Sequence, residues 1–270
     1  MSNRGKVIIA AAGPGDADLI TVKAMRYLGE ADVILVDRLV NPLILERYAR
    51  PGAIRVDVGK QGGHDASRPQ QDINHLLVSY ALQGKLVVRL KGGDVSVFSN
   101  VLDELETLTS FGISYELVPG VTSALGAAAY AGIPLTARGF SQGLRLLTFQ
   151  DPDTVPKEDW QNWAHTKDTL VFYMSGRIMP VLLERLRAAG IDADTPLAVV
   201  SQATTPYQQV HLGTVGTFRS GRDGMQIASP SLLITGQVVT LHPRFSWFEA
   251  TAAEGSVFNP LAPIQDQPTT

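Results

Sequence analysis

Three short glycine-bearing stretches hold the residues most able to do chemistry: Gly13-Pro14-Gly15-Asp16, Gly92-Gly93-Asp94, and the turn around Gly120 in "VPGVTS" at 118–123. Each follows an apolar run of strand character and precedes a helical pattern. A dinucleotide fingerprint in such a place needs G-x-G-x-x-G, so that backbone N–H groups and a helix N-terminus face a pyrophosphate. The first stretch has no third glycine in register. Pro14 lacks an N–H, and the Asp16 carboxylate would repel phosphate where the helix dipole attracts it. A P-loop fails as well, because Gly-Lys-Ser/Thr is missing. One such stretch alone could be a plain tight turn. Three at successive strand ends describe a cleft floored by backbone and suited to a neutral or cationic ligand at the carboxyl edge of a sheet. Asp37 follows "VILV" and belongs at the same edge, with a turn or helix-cap role as its alternative.

The elements that must position these residues alternate along the first half. Short β-rich runs, "KVIIAA", "VILV", "IRVDV", "LVVRL" and "YELV", are separated by helical patterns at 18–31, 70–83, 100–110 and 122–131. That alternation predicts a mostly parallel sheet covered by helices. On the first helix Leu19, Val22, Met25 and Leu28 form an apolar stripe, with Asp16 or Asp18 as cap. In the second half, "LRLLTF", "TLVFYM", "LAVVS", "QQVHLGTV" and "SLLITGQVV" read as strands, and 178–189 is the one long helical pattern. The fold class expected is α/β in two domains, 1–139 with a mostly parallel sheet and 140–250 with a more mixed one. Residues 251–270, rich in Pro, Gln and Thr, are expected to be a disordered tail.

Composition narrows the function classes. The chain has 270 residues and no cysteine, so disulfides and thiolate metal sites are excluded. Twenty-three Lys and Arg against 26 Asp and Glu, with no long basic block, argue against nonspecific nucleic-acid binding. His64, His75, His165, His211 and His242 show no ligand spacing, which argues against a metal. The apolar run after "MSNRGKV" is too short for a signal-peptide core or a membrane span, so a soluble, cytoplasmic protein is expected.

The stretches "GPGD" at 13–16, "DRLV" at 37–40, "VGKQGG" at 58–63, "QQDIN" at 70–74, "RLKGGD" at 89–94, "VPGVTS" at 118–123, "AGIPLTARG" at 131–139 and "VFYM" at 171–174 resemble, in order, the tetrapyrrole methylases. Within that family they are most similar to the uroporphyrinogen-III C-methyltransferases. The resemblance implies two α/β domains with S-adenosylmethionine held between them, usually in a homodimer. It implies C-methylation of uroporphyrinogen III at two pyrrole carbons, giving precorrin-2 by way of precorrin-1. It assigns cofactor contacts to Pro14, Gly92, Gly93, Asp94, Val97, Thr122, Ser123, Met174 and Ala203. It also makes Asp37 and Lys60 proton acceptor and donor, and it places Arg38, Phe98 and Arg138 against the substrate. Read by itself, Met174 after an apolar strand could equally fill the core. Arg89 and Lys91, like Arg38, Lys60 and Arg138, could be solvated charges or cations for the carboxylates of the macrocycle.

Two stretches depart from the family pattern. Relatives have Pro-Phe after Gly-Gly-Asp and then Phe-Gly-Arg-Gly, where this chain has Val95-Ser96-Val97-Phe98-Ser99-Asn100. They have Thr-His-Arg where Thr136-Ala137-Arg138 stands. One rival to the leading reading is a methyltransferase of the same class acting on a later corrinoid precursor in the same cleft; the other, suggested by the altered 95–100 stretch, is a cofactor-binding or regulatory module without turnover.

Overall fold

A computed structural model describes residues 5–59, 69–149, 151–176, 178–219, 224–252 and 254–258. The chain divides into two compact units, one running to Thr122 and resuming at Ser256, the other Ser123–Gly255.

In the first unit the elements are β1 (Lys6–Ala11), α1 (Val22–Glu30), β2 (Val33–Val36), α2 (Pro42–Tyr48), β3 (Ile54–Asp57), α3 (Gln70–Leu82), β4 (Leu86–Lys91), α4 (Leu102–Ser110) and β5 (Ser114–Val118). The five strands form one sheet in the order β3-β2-β4-β1-β5, every pairing parallel. Apolar residues on both faces explain why: Ile8 and Ala10 of β1 pack with Leu28 of α1 and Ile44 of α2, while Val7 and Ile9 pack with Ile73 and Leu77 of α3 and Leu108 of α4. The chain leaves β1 toward β2 on one side and leaves β4 toward β5 on the other. The adjacent carboxyl ends of β1 and β4 thus form the switch point where open α/β sheets bind ligands.

The first helix starts later than the pattern 18–31 suggested. Thr21 is its N-cap, accepting from Ala24 N–H, and Asp16 instead caps a short 3-10 turn at Ala17–Leu19. The buried face is therefore Ala24 and Leu28, and Val22 is 76% exposed. The short helix α2 was not foreseen, although Asn41-Pro42 is a helix start: Asn41 accepts from Leu43 N–H and Pro42 stands in the first turn, where no N–H is needed.

The second unit comprises α5 (Ser123–Tyr130), β6 (Leu144–Thr148), α6 (Lys157–His165), β7 (Thr169–Tyr173), α7 (Met179–Ala188), β8 (Pro196–Ser201), β9 (Gln209–Thr214), β10 (Ser231–Thr235) and α8 (His242–Phe245). Its sheet is mixed, as expected, in the order β6-β7-β10-β8-β9, with only β6–β7 parallel among neighbours. The small-residue helix α5 packs on β10, and Ala124 N–H donates to Tyr173 Oη at 3.1 Å, whereas the sequence reading carried the first domain on to 139. The unforeseen helix α6 buries Trp160 and Trp163 in an edge-to-face series with Phe149 and Phe172. Of the stretch expected to be a disordered tail, Ala252 N–H donates to Pro206 O and Gln202 donates to Gly255 O within this unit, and Phe258, which belongs to the first unit, is buried; residues 253 and 259–270 lie outside the described residues.

Candidate active site

The glycine stretches are bonded to one another at the switch point. Gly13 N–H donates to Gly93 O at 3.1 Å and Gly93 N–H to Gly13 O at 2.8 Å, closing an antiparallel bridge just past the ends of two parallel strands. Gly93 has φ +69, in the left-handed region that a side chain disfavours. The third loop joins through Asp94, whose Oδ2 accepts Gly120 N–H at 2.8 Å while Oδ1 accepts Ser96 N–H at 2.8 Å and Ser96 Oγ–H at 2.5 Å. Burial of Asp94 opposes ionisation, but these donors and the Val95 N–H outweigh it and hold the carboxyl below its ordinary value. Gly120 lies so close to β1 that a Cβ there would stand 2.5 Å from Ala11 Cβ and 3.1 Å from Gly93 O.

The first loop is tethered from the other side. Buried Asn41 donates to Gly15 O at 2.8 Å with the same side chain whose Oδ1 caps α2. Sequence reasoning missed this residue, although an Asn before Pro at a helix start is a recognisable cap signal.

Asp37 stands just past β2, its N–H donating to Leu90 O at 3.0 Å. Strand alternation decides what it faces. Val33 and Leu35 lie on the face covered by α3 and α4, so Asp37 shares that face with Arg89 and Lys91. Asp37 Oδ1 accepts Arg38 N–H at 2.9 Å, and Oδ2 lies 3.7 Å from Arg89 Nη2. Arg89 Nε then donates to Glu104 Oε1 at 3.0 Å, and Lys91 Nζ to Glu104 Oε2 at 3.2 Å. Glu104 is wholly inaccessible and the two cations nearly so, while the Asp37 side chain is 30% exposed. Burial keeps Lys91 below the ordinary lysine value, although Glu104 pulls the other way. Arg89 and Lys91 are thus neither solvated charges nor exposed to a ligand, which corrects both readings of them.

The other expected site residues fall as follows. Pro14, Gly92, Gly93 and Asp94 gather at the carboxyl edge of the first sheet with Asp37, and buried Thr122 ends the loop that leaves β5. Arg38 and Val97 are half-buried there. Phe98 is exposed and has φ +51, and Asn100 has φ +50, so the divergent 95–100 stretch turns through two left-handed residues without glycine. Lys60 lies outside the described residues. In the second unit Ser123 opens α5. Strands β7 and β8 run the same way, each antiparallel to β10, so Met174 and Ala203 lie at one end of that sheet. Met174 is 44% exposed with φ +58, which removes the core-filling alternative. Ala203 is buried between Gln202 and Thr204, both with positive φ. Arg138 is exposed on the segment before β6, within an Ala137–Ser141 bridge.

At the edge of the first sheet the donor set is backbone and carboxylate: Asp16, Asp37 and Asp94 bring negative charge, and Pro14 offers no N–H. Such a set suits a sulfonium or ammonium group and is unlike a phosphate nest. Among the described residues no group of His, Asp and Glu is arranged to hold a metal ion, and no helix is long and apolar enough to cross a membrane.

Known proteins agree with this architecture. A siroheme synthase of Stutzerimonas stutzeri is 44% identical over 251 residues, covering 93% of this chain and 54% of that protein. One of Pseudomonas fluorescens is 43% identical, with 53% of its length covered, so the chain spans about half the length of the curated relatives it matches. Among solved structures, a uroporphyrin-III C-methyltransferase of Thermus thermophilus superposes with TM-score 0.75 at 36% identity, covering 91% of this chain and 98% of that one. The Thermus thermophilus enzyme has also been solved with S-adenyl homocysteine, at TM-score 0.74 and 35% identity, covering 88% of this chain and 100% of that one. A cobalt precorrin-4 methyltransferase superposes with TM-score 0.76 at 29% identity, covering 87% and 95%. Residues 6–219 match the family model of the tetrapyrrole (corrin/porphyrin) methylases, and the chain belongs to that family.

Proposed function

We propose that this chain uses S-adenosylmethionine to methylate uroporphyrinogen III at two pyrrole carbons, giving precorrin-2 through precorrin-1. The observation that carries the reading is the mutual locking of the Gly13, Gly93 and Gly120 loops at the switch point, with the Asp37 carboxylate on the neighbouring strand end. The cofactor, when bound, would supply an electrophilic methyl group whose bond to the cationic sulfur breaks as the pyrrole carbon bonds to it, leaving a neutral thioether with the electron pair. On the family resemblance, the residues proposed to contact it are Pro14, Gly92, Gly93, Asp94, Val97, Thr122, Ser123, Met174 and Ala203.

The loops contribute rigidity. Backbone already bonded to backbone needs no reordering when a ligand arrives, so positional freedom is removed in advance. Asp37 contributes proton transfer. Forming a bond from a pyrrole carbon to a methyl group leaves the ring cationic, and a partly exposed carboxylate at Oδ2 can take the proton whose loss restores neutrality. Lys60 is proposed as the donor, and Arg38, Phe98 and Arg138 as substrate contacts. A homodimer in the cytoplasm completes the proposal, on the family resemblance.

The test is to incubate the purified chain with the cofactor and enzymatically made uroporphyrinogen III and to read product masses. Two methyl additions are expected. The likeness to a cobalt precorrin-4 methyltransferase supports a second reading in which a later corrinoid precursor is the acceptor, and the altered 95–100 stretch suggests a third, a cofactor-binding module without turnover. No addition to uroporphyrinogen III but one to such a precursor would select the second, and cofactor binding without transfer to either would leave a binding module.

A further inference from the structure

Backbone strain in the second unit gathers at one edge. Among its described residues the non-glycine positions with left-handed backbone are Met174, just past β7, and Gln202 and Thr204, just past β8, at φ +58, +47 and +66. Strands β7 and β8 run the same way, so all three stand at one end of the sheet. For β-branched Thr204 that conformation is strongly disfavoured. Strained residues of this kind persist only where their surroundings over-determine them, and they cluster at ligand clamps.

The surroundings of this turn are side chains of its own loop. Residues 202–208 connect β8 to β9, yet Gln202, Ala203, Thr204, Thr205 and Gln208 are all buried, although connecting loops ordinarily run over the surface. Gln202 N–H donates to Pro230 O at 2.7 Å and its side chain to Gly255 O at 2.8 Å. Thr205 donates both its N–H and its hydroxyl to Gln202 O, at 3.2 and 2.8 Å. Gln208 reaches back across the loop, and its Oε1 accepts Thr204 N–H at 2.8 Å. The residue left out is the middle one: among the described residues the N–H and C=O of Ala203 have no partner, and Ala203 is only 8% exposed. Buried backbone groups are costly in that state unless something else pairs with them.

The planarity of the peptide unit links the two observations. Thr204 N–H and Ala203 C=O belong to one trans peptide, so holding the N–H on Gln208 aims the C=O the opposite way. Gln202 C=O and Ala203 N–H belong to the preceding peptide, which Thr205 holds in the same manner. Both polar groups of Ala203 are therefore aimed by bonds made at the other ends of their peptides.

Resting on the reading of Ala203 as a cofactor contact, we propose that Gln208 is a positioning residue for S-adenosylmethionine: by accepting Thr204 N–H it holds the left-handed turn at 202–204 and keeps the Ala203 peptide groups aimed for the cofactor. A neutral amide suits the task, since it supplies an acceptor without bringing a charge into a buried loop.

The test combines calorimetry with amide hydrogen exchange read by NMR. Gln208→Met keeps the length of the side chain and removes the acceptor. It should bind S-adenosylmethionine at least about tenfold more weakly, because the competent turn becomes a minor population, and its Thr204 amide should exchange faster than in the parent. Gln208→Glu, which keeps an acceptor oxygen at the same reach, should restore most of the affinity. A folded Gln208→Met variant with a lowered melting temperature but parental affinity overturns the proposal. If that variant does not fold, the ligand-free parent decides: a slowly exchanging Thr204 amide is expected, and exchange as fast as in an unprotected peptide overturns the proposal. The Ala203 amide tests the underlying reading separately, since it should slow when S-adenosylmethionine is added to the parent. An unchanged Ala203 amide would refute the cofactor contact, whereas a fast Thr204 amide would refute the role of Gln208.

Discussion

Gly120 N–H donates to Asp94 Oδ2 at 2.8 Å across 26 residues, and the same glycine leaves no room for a Cβ against Ala11. One residue thus fixes both the register and the spacing of two loops. Gly120→Ala should destabilise the protein by about 1–3 kcal/mol through overpacking against β1, read as a lower denaturant midpoint with unchanged slope. A variant as stable as the parent would mean that the loop shifts freely, contrary to the locking described.

Asp94 predicts an acid-side effect. Its folded carboxyl titrates below the ordinary carboxylate value, so its contribution is fully present above that value, about 4. The contribution is lost as pH falls through the lower folded value. Asp94→Asn should therefore be less stable than the parent at neutral pH, with the gap narrowing in increasingly acid solution. Denaturation midpoints at several pH values check this; a gap independent of pH would contradict it.

Asn41 has two duties that can be separated. Asn41→Ala removes the α2 cap, worth about 1 kcal/mol, and leaves the Gly15 carbonyl without its donor, about 1–3 kcal/mol if it stays buried. Asn41→Asp keeps the cap acceptor but sets an oxygen against Gly15 O. Both should weaken S-adenosylmethionine binding in calorimetry, whereas a pure cap would make Asn41→Asp neutral.

Gly93→Val places a β-branched side chain at φ +69 in the bridge to Gly13. An L-residue in that conformation costs roughly 1–2 kcal/mol, which a domain of this size survives. The loss should appear in cofactor binding: calorimetry should show none in a folded Gly93→Val variant. Parental affinity would move the cofactor site away from this turn.

The parallel sheet and its loops were legible because both signals are local. Apolar runs of four to six residues mark strands such as Val33–Val36 and Lys6–Ala11, and glycines mark turns that only backbone can occupy. The misread pieces depend on contacts distant in sequence. Val22 has the right spacing for a core face, but Thr21 starts the helix at Val22 and rotates the buried stripe to Ala24 and Leu28. Helix α6 hid its amphipathicity in two tryptophans, Trp160 and Trp163, among polar residues. Arg89 and Lys91 alternate with apolar Val88 and Leu90, a hint that both point one way. Nothing in β4 alone reveals that Glu104, one helix later, waits there.

Asp37 carries the enzymatic reading. Removing a general base typically lowers the rate by about 10²- to 10⁴-fold, while losing a cap costs about 1 kcal/mol of stability and little activity. The decisive measurement is methyl transfer to uroporphyrinogen III by Asp37→Asn, alongside its melting temperature and cofactor affinity. The expected result is turnover at least about a hundredfold below the parent, with melting and cofactor binding close to parental. Near-parental turnover would make Asp37 a structural residue and contradict its role as the base.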